Sequence, residues 1–311
     1  MPPPPALRTS DLAAILAVVF IWGINFVVMK LGLAHFTAFQ LGAGRFLFAF
    51  LPLALWIRRP AVRVRWLLAF GLVQGVGQFG FLFIALHVGM TAALASVLMQ
   101  TQVFFTALFG MALLGERIGR PLQFGLAFAV AGLGSLGASV LLTGQAAGVT
   151  GWGLLFNLTS AAMWALSNIV VRKAQEESSG FDPVGFVVWS SAFAVLPFAV
   201  LSALFDPPEA HANWLAAPWQ GWVQIAFLGW IATTLAYGLW TRMLKRYPAS
   251  RVAPFSLGVP LVGLSAGILV LGERVTPLQW GGAFLLVCAL LCVLLGPRLM
   301  QPRARPEKTA S

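Results

Sequence analysis

Amide side chains stand in stretches of this chain that are otherwise almost wholly apolar: Asn25, Gln74, Gln78, Gln100, Gln102 and Asn168. Their spacing is helical. Gln74 and Gln78 lie four apart on one face, as do Ser96 and Gln100, while Trp22 and Trp164 each sit one turn before an asparagine. Tyr237 and Trp240 follow Thr233 and Thr234 in the same manner, and Ser256 stands in a later run. The set holds no nucleophile beside a base, no carboxylate pair and no metal-ligand spacing. It can donate and accept hydrogen bonds to a small polar molecule, a zwitterion above all, in an apolar enclosure. Polar groups at membrane depth are costly, so they face a cavity or each other. Trp22, Asn25, Gln74, Gln78, Gln100, Gln102, Trp164, Asn168, Thr234, Tyr237 and Ser256 are the residues expected to line such a cavity. The competing reading is glue between helices with no ligand present.

The elements that carry these residues are membrane spans. Of the 311 residues, 59% are hydrophobic and only 9% charged, against about 25% charged in a soluble domain. Apolar runs long enough to cross a bilayer fall at about 11–30, 37–57, 66–88, 91–114, 121–142, 150–172, 183–204, 219–241, 249–271 and 277–297. In lipid such runs satisfy their backbone groups as helices. Short links join them, the longest holding Asp206, Pro207, Pro208, Glu209 and His211. Residues 1–10 read as a short leader with Pro2 to Pro5, and no small-residue cleavage site follows the first run. Cys288 and Cys292 share one helical face, where packing is expected rather than a disulfide or metal site.

The net charge of +11 does not indicate nucleic-acid binding, because the basic residues sit at the ends of apolar runs and form no phosphate-gripping face. They read as topology signals. With the N-terminus in the cytoplasm, the inner segments carry 17 Lys and Arg and the outer segments only Lys30 and Arg274. Both termini are then expected inside.

The chain also repeats. Gly115-Glu116-Arg117 followed by Pro121-Leu122-Gln123-Phe124-Gly125 returns as Gly272-Glu273-Arg274 followed by Pro277-Leu278-Gln279-Trp280-Gly281. Trp22 and Asn25 answer to Trp164 and Asn168, and Pro52 answers to Pro197. The expected organisation is a cytoplasmic leader (1–10), a first five-helix repeat (11–142), a second, inverted repeat (150–297) and a cytoplasmic tail (298–311). Five is odd, so the second half lies upside down, the arrangement of carriers that work by alternating access.

These features resemble the EamA-type carriers of the drug/metabolite transporter superfamily over about residues 11–297. Within that family, Trp22-Gly23-Ile24-Asn25-Phe26-Val27-Val28-Met29-Lys30, Gln100-Thr101-Gln102-Val103-Phe104-Phe105-Thr106 and Arg251-Val252-Ala253-Pro254-Phe255-Ser256-Leu257 are similar to exporters of O-acetylserine and cysteine. The resemblance implies an all-α integral membrane protein of ten transmembrane helices in the bacterial inner membrane. It also implies a small-molecule substrate, no cofactor, and a cavity lined by helices one, three, four, six, eight and nine, with five and ten behind. Drugs, sugars or nucleobase-like compounds are the alternative cargo. A membrane enzyme lacks its catalytic groups here, and a channel lacks charged rings or filter loops. Oligomeric state is left open.

Arg45 is the one charge well inside a span. Helix two is not expected to be central, so Arg45 is expected to snorkel or bond backbone carbonyls rather than hold a substrate carboxylate. Glu116-Arg117 and Glu273-Arg274 are expected as local ion pairs closing turns, His87 as a minor candidate for proton coupling, and Pro254 and Pro260 as kinks that free carbonyls. Gly125, Gly132, Gly134, Gly137, Gly281 and Gly282 read as close-packing positions.

Overall fold

A computed structural model describes residues 8–115, 119–143 and 148–299. The repeat phrase Glu116-Arg117 lies outside them. Among the described residues, ten helical spans are each long and apolar enough to cross a bilayer. They are α1 (Thr9–Gly32), α2 (Ala38–Leu55), α3 (Val64–His87), α4 (Ala92–Leu113), α5 (Arg120–Leu142), α6 (Gly151–Glu176), α7 (Pro183–Phe205), α8 (Trp219–Arg246), α9 (Pro254–Leu271) and α10 (Pro277–Leu294). All ten expected runs are present. The ends shift most at the end of α8 and the start of α9; α8 continues past its apolar stretch into Lys245 and Arg246. Basic residues are favoured in a last turn, beside the negative end of the helix dipole.

Local signals set the starts and stops. Thr37 begins α2 with a reciprocal cap: its hydroxyl accepts from Gln40 N at 3.1 Å, and Gln40 Oε1 accepts from Thr37 N at 3.2 Å. Asp182 caps α7 at the equivalent place, accepting from Val184 N and Gly185 N with Pro183 in the first turn. The fourth helix of each half ends on a left-handed glycine, Gly115 at φ 69° and Gly272 at φ 65°. Those are the glycines that open the two repeat phrases, and a β-carbon would strain that conformation.

The two inverted five-helix halves share their irregularities as well. In α3 the backbone widens to a π-helix over Gly71–Phe79, and in α8 over Phe227–Leu235. A tight 3₁₀ turn interrupts α4 at Met99–Thr101 and opens α9 at Ala253–Leu257. Each pair falls at corresponding places, about half a chain apart.

The halves meet along several seams. α1 packs on α9, α4 on both α6 and α9, and α2 on α7, while α5 and α10 form a long pair. Glycines allow the closest approaches. A β-carbon on Gly23 would lie 2.5 Å from Val262, and one on Gly132 would lie 2.9 Å from the Gly282 carbonyl. Gly134 and Gly137 have nothing within 4 Å, which corrects their expected packing role; they face outward from the α5–α10 pair. Large apolar side chains such as Leu141, Leu204 and Leu269 are exposed all round the bundle, as a lipid-facing surface requires.

Gly23→Val drives two methyl groups into α9, and its expected effect is a lower yield of folded, monodisperse protein and a lower unfolding temperature. Gly134→Ala, with open space around it, is expected to change neither. Size-exclusion profiles and thermal melts of the two variants check this.

Candidate functional site

A cavity of about 640 Å³ lies between the halves. Every span except α5 contributes to its wall. That is wider than the six helices expected: α2 brings Arg45, α7 brings Phe186 and Val187, and α10 brings Leu290 and Leu294. The helix expected to stay behind with α5 therefore has one face on the cavity.

Ten of the eleven expected residues stand on this wall; Thr234 does not. Trp22 donates from Nε1 to the Ala232 carbonyl at 3.1 Å and packs edge-on against Tyr237 at 5.3 Å between ring centres. Gln74 joins two elements: its Nε2 donates to Tyr237 OH at 3.3 Å, and its Oε1 accepts from Ser167 of α6. Asn168 donates to Gln102 Oε1 at 3.0 Å and to Thr106 Oγ1 at 3.3 Å. Gln100 Nε2 donates to the Ser256 carbonyl at 3.3 Å. Pro260 has no N–H for that carbonyl four residues earlier, so the kink expected in α9 is served by α4. Trp164 stands on the wall with its carbonyl taking the Ser167 hydroxyl at 2.7 Å. Gln78 gives its carbonyl to Ser160 at 2.7 Å, while its side-chain Oε1 is buried without a partner.

Thr234 turns away because α8 is π-helical there. Its hydroxyl bonds back to the Gly229 carbonyl at 3.3 Å, five residues earlier. The neighbouring Thr233 takes the inward direction and meets Arg45. Gly229 makes room for this, since a β-carbon there would lie 2.8 Å from the Arg45 carbonyl.

Arg45 is the functional candidate that sequence reasoning set aside. It neither snorkels nor bonds backbone carbonyls. It is 2% exposed; its Nε donates to Thr233 Oγ1 at 3.1 Å and its Nη1 to Asn25 Oδ1 at 3.3 Å. The guanidinium lies 3.8 Å from the centre of the Phe79 ring. The signal was available: a lone charge on a helix, flanked by Gly42 and Gly44, which let α7 and α8 approach closely enough to bury it.

The two ends of the cavity differ. One end reaches Gln175, Pro183, Lys245 and Leu294. The opposite end is packed solid, with Met29, Leu86, Met90, Ala92, Ala93 and Leu94 all buried. Charges tie that packed end. Lys30 Nζ donates to the carbonyls of Leu86 and Met90 near the end of α3. Glu273 takes the amides that open α4, Ala92 N at 2.7 Å and Ala93 N at 2.8 Å. This corrects the expected Glu273–Arg274 pair: the free amides of a helix start and its dipole outbid a solvated arginine. Thr150 completes the tie by donating to the Val88 carbonyl at 2.8 Å. His87 is exposed at the end of α3 and is not on the cavity wall.

At the other end, Glu177 accepts from Trp66 Nε1 at 3.0 Å and pairs with Arg63 and Arg65. The Trp66 hydrogen bond, then the Arg65 one, hold its carboxyl below the usual carboxylate range. Asp11 accepts from Tyr247 OH at 2.6 Å and pairs with Arg246 at 3.2 Å, tying α1 to the end of α8.

The EamA-like transporter family matches this chain over residues 9–137 and 151–295, one stretch in each half. The chain belongs to that family. Two relatives are named probable amino-acid metabolite efflux pumps. The Salmonella typhimurium LT2 protein is 37% identical over 285 residues, 91% of this chain and 94% of that protein. The Escherichia coli K12 protein is 36% identical over 293 residues, 94% of this chain and 97% of that protein. A crystal structure at 19% identity covers 96% of this chain and 100% of that one with a TM-score of 0.61, which shows a shared fold. The chain is thus an EamA-family membrane exporter with a cavity between its halves.

Glu273→Gln removes the charge from the α4 start and is expected to loosen the packed end. Asn157, two turns into α6 from Thr150, is fully buried. In a Cys288→Ala/Cys292→Ala background, labelling of Asn157→Cys by an impermeant maleimide in proteoliposomes should rise several-fold. Unchanged labelling would count against the tie.

Proposed function

We propose that this protein exports small amino-acid metabolites, of the O-acetylserine and cysteine kind, across the bacterial inner membrane by alternating access. The observation that carries this reading is the cavity between two inverted halves, accessible from one end and packed shut at the other. Its volume of about 640 Å³ suits a small molecule, since ligand pockets run to roughly 300–1,000 Å³. The names of the two efflux-pump relatives support the cargo class.

Orientation follows from charge. The accessible end of the cavity lies where the chain carries most of its Lys and Arg, around Arg63, Arg65, Lys173 and Lys245. By the positive-inside rule this end is cytoplasmic, with both termini inside. The structure then corresponds to the loading state of an exporter. We take residues 11–142 and 150–297 as the two moving units, with 1–10 and 298–311 as leader and tail. Cargo drives the exchange only through contacts that differ between the two states. Here it would exchange hydrogen bonds with Asn25, Gln78, Gln100, Gln102 and Asn168 for water.

A second cargo reading keeps the fold. Trp22, Trp164, Tyr237 and Trp240 are among the aromatic side chains on the wall, which suits aromatic amino acids or nucleobase-like rings.

Cells expressing the protein are expected to export labelled O-acetylserine, cysteine or an aromatic amino acid faster than empty cells. Gln78→Ala and Gln100→Ala should each lower that rate about tenfold while leaving the amount of membrane-inserted protein unchanged. Rates equal to empty cells for every compound would refute the cargo class, and full rates in both variants would refute the site.

A further inference from the structure

We propose that Arg45 is a carboxylate anchor, so that the cargo must carry a carboxylate but need not carry a free ammonium. This rests on the reading above only in placing cargo in the cavity.

The argument starts from charge. Among the described residues on the cavity wall the charged ones are Arg45 and Lys245; no Asp or Glu is there. Arg45 is buried, and no described carboxylate pairs with it. Its partners are neutral: a hydroxyl, an amide oxygen, a thioether 3.7 Å from Nη1 and an aromatic ring. A guanidinium carries five N–H donors arranged as a fork that fits a carboxylate with two parallel bonds. Nε and Nη1 are engaged, and Nη2 makes no hydrogen bond to the protein among the described residues. A buried charge without an opposite charge is costly to maintain. Here the missing anion has a route to it through the cavity.

The surroundings fix the rest of the pose. Asn25 and Thr233 hold the guanidinium by accepting from it, and Phe79 lies against its face. A carboxylate arriving at Nη2 meets two free N–H donors on a guanidinium that is already held in place. No matching anion awaits an ammonium group. That group would have only neutral oxygens and the faces of Trp22, Trp164 or Tyr237. Recognition is therefore lopsided. The carboxylate end has a full opposite charge, and the amine end has dipoles and rings.

Matched probes separate the two ends. Thermal stabilisation of the full-length protein in detergent is measured with L-cysteine, N-acetyl-L-cysteine and propionate, and with cysteamine and propionamide. The first three should stabilise wild type, and the last two should not. Arg45→Gln should weaken the response to all three carboxylates about tenfold or more, in line with the loss of a charge-assisted hydrogen bond. Arg45→Lys should retain part of it. Three results would overturn the anchor: cysteamine binding as well as cysteine, chloride stabilising as well as propionate, or Arg45→Gln keeping its preference for carboxylates. If Arg45→Gln does not fold, Arg45→Lys and the wild-type probe pairs still decide. Export of labelled L-cysteine is assayed in parallel. Carboxylate binding without export refutes the transport reading and leaves the anchor standing, whereas export with no carboxylate preference refutes the anchor alone.

Discussion

Backbone N–H and C=O groups at membrane depth have no water to bond, so a chain that crosses lipid is held to regular helices wherever lipid touches it. Departures from regularity are possible only inside the protein. In this chain the paired π-helical and 3₁₀ stretches reach the cavity, and the 3₁₀ turn at Leu53–Leu55 lies at the end of α2. The π-helical stretches of α3 and α8 contribute Gln74, Gln78 and Ala232 to the wall, and the 3₁₀ turns of α4 and α9 contribute Met99, Gln100, Ser256 and Leu257. Carbonyls at these places are taken by side chains from other helices: Ser160 on Gln78, Trp22 on Ala232, Gln100 on Ser256. The same polar residues therefore close the backbone account and line the cavity. Glue and lining, which compete as readings of a sequence, are one arrangement in the fold.

Charge is distributed under the same constraint. Glu273 sits on helix-start amides and Lys30 on carbonyls near a helix end, so each meets partial charge of the opposite sign. The Glu273 tie crosses between the halves at the packed end, and the Lys30 tie joins α1 to α3 within the first half. Arg45 differs, because its contacts are uncharged and it faces the cavity between the halves. Desolvation strengthens whatever electrostatic contact forms there.

Much of this was legible in the sequence. Hydropathy and the alternation of basic residues placed ten spans, because length and apolarity in lipid leave few alternatives. The helical spacing of amides and aromatics picked out most of the amide side chains on the cavity wall, because one helical face stays on one neighbour. Thr234 was misassigned because a π-helix adds a residue to the turn and rotates the next side chains, and no sequence period reveals that. Arg45 was set aside on the expected place of α2, which Gly42, Gly44 and Gly229 change by letting α7 and α8 close over it. Glu273 was paired with its sequence neighbour, whereas its partners lie about 180 residues away on the start of α4.

The central claim is that the cavity is exposed at one end at a time. Distances between spin labels test it most directly, with one pair across the packed end at His87 and Arg274 and one across the accessible end at Arg63 and Lys245. Cysteine-free protein labelled in this way would be measured in lipid with and without L-cysteine. The account predicts that substrate adds a longer-distance population at the packed end and a shorter one at the accessible end. Widening at both ends together, as in a channel, or no change at either, would contradict it.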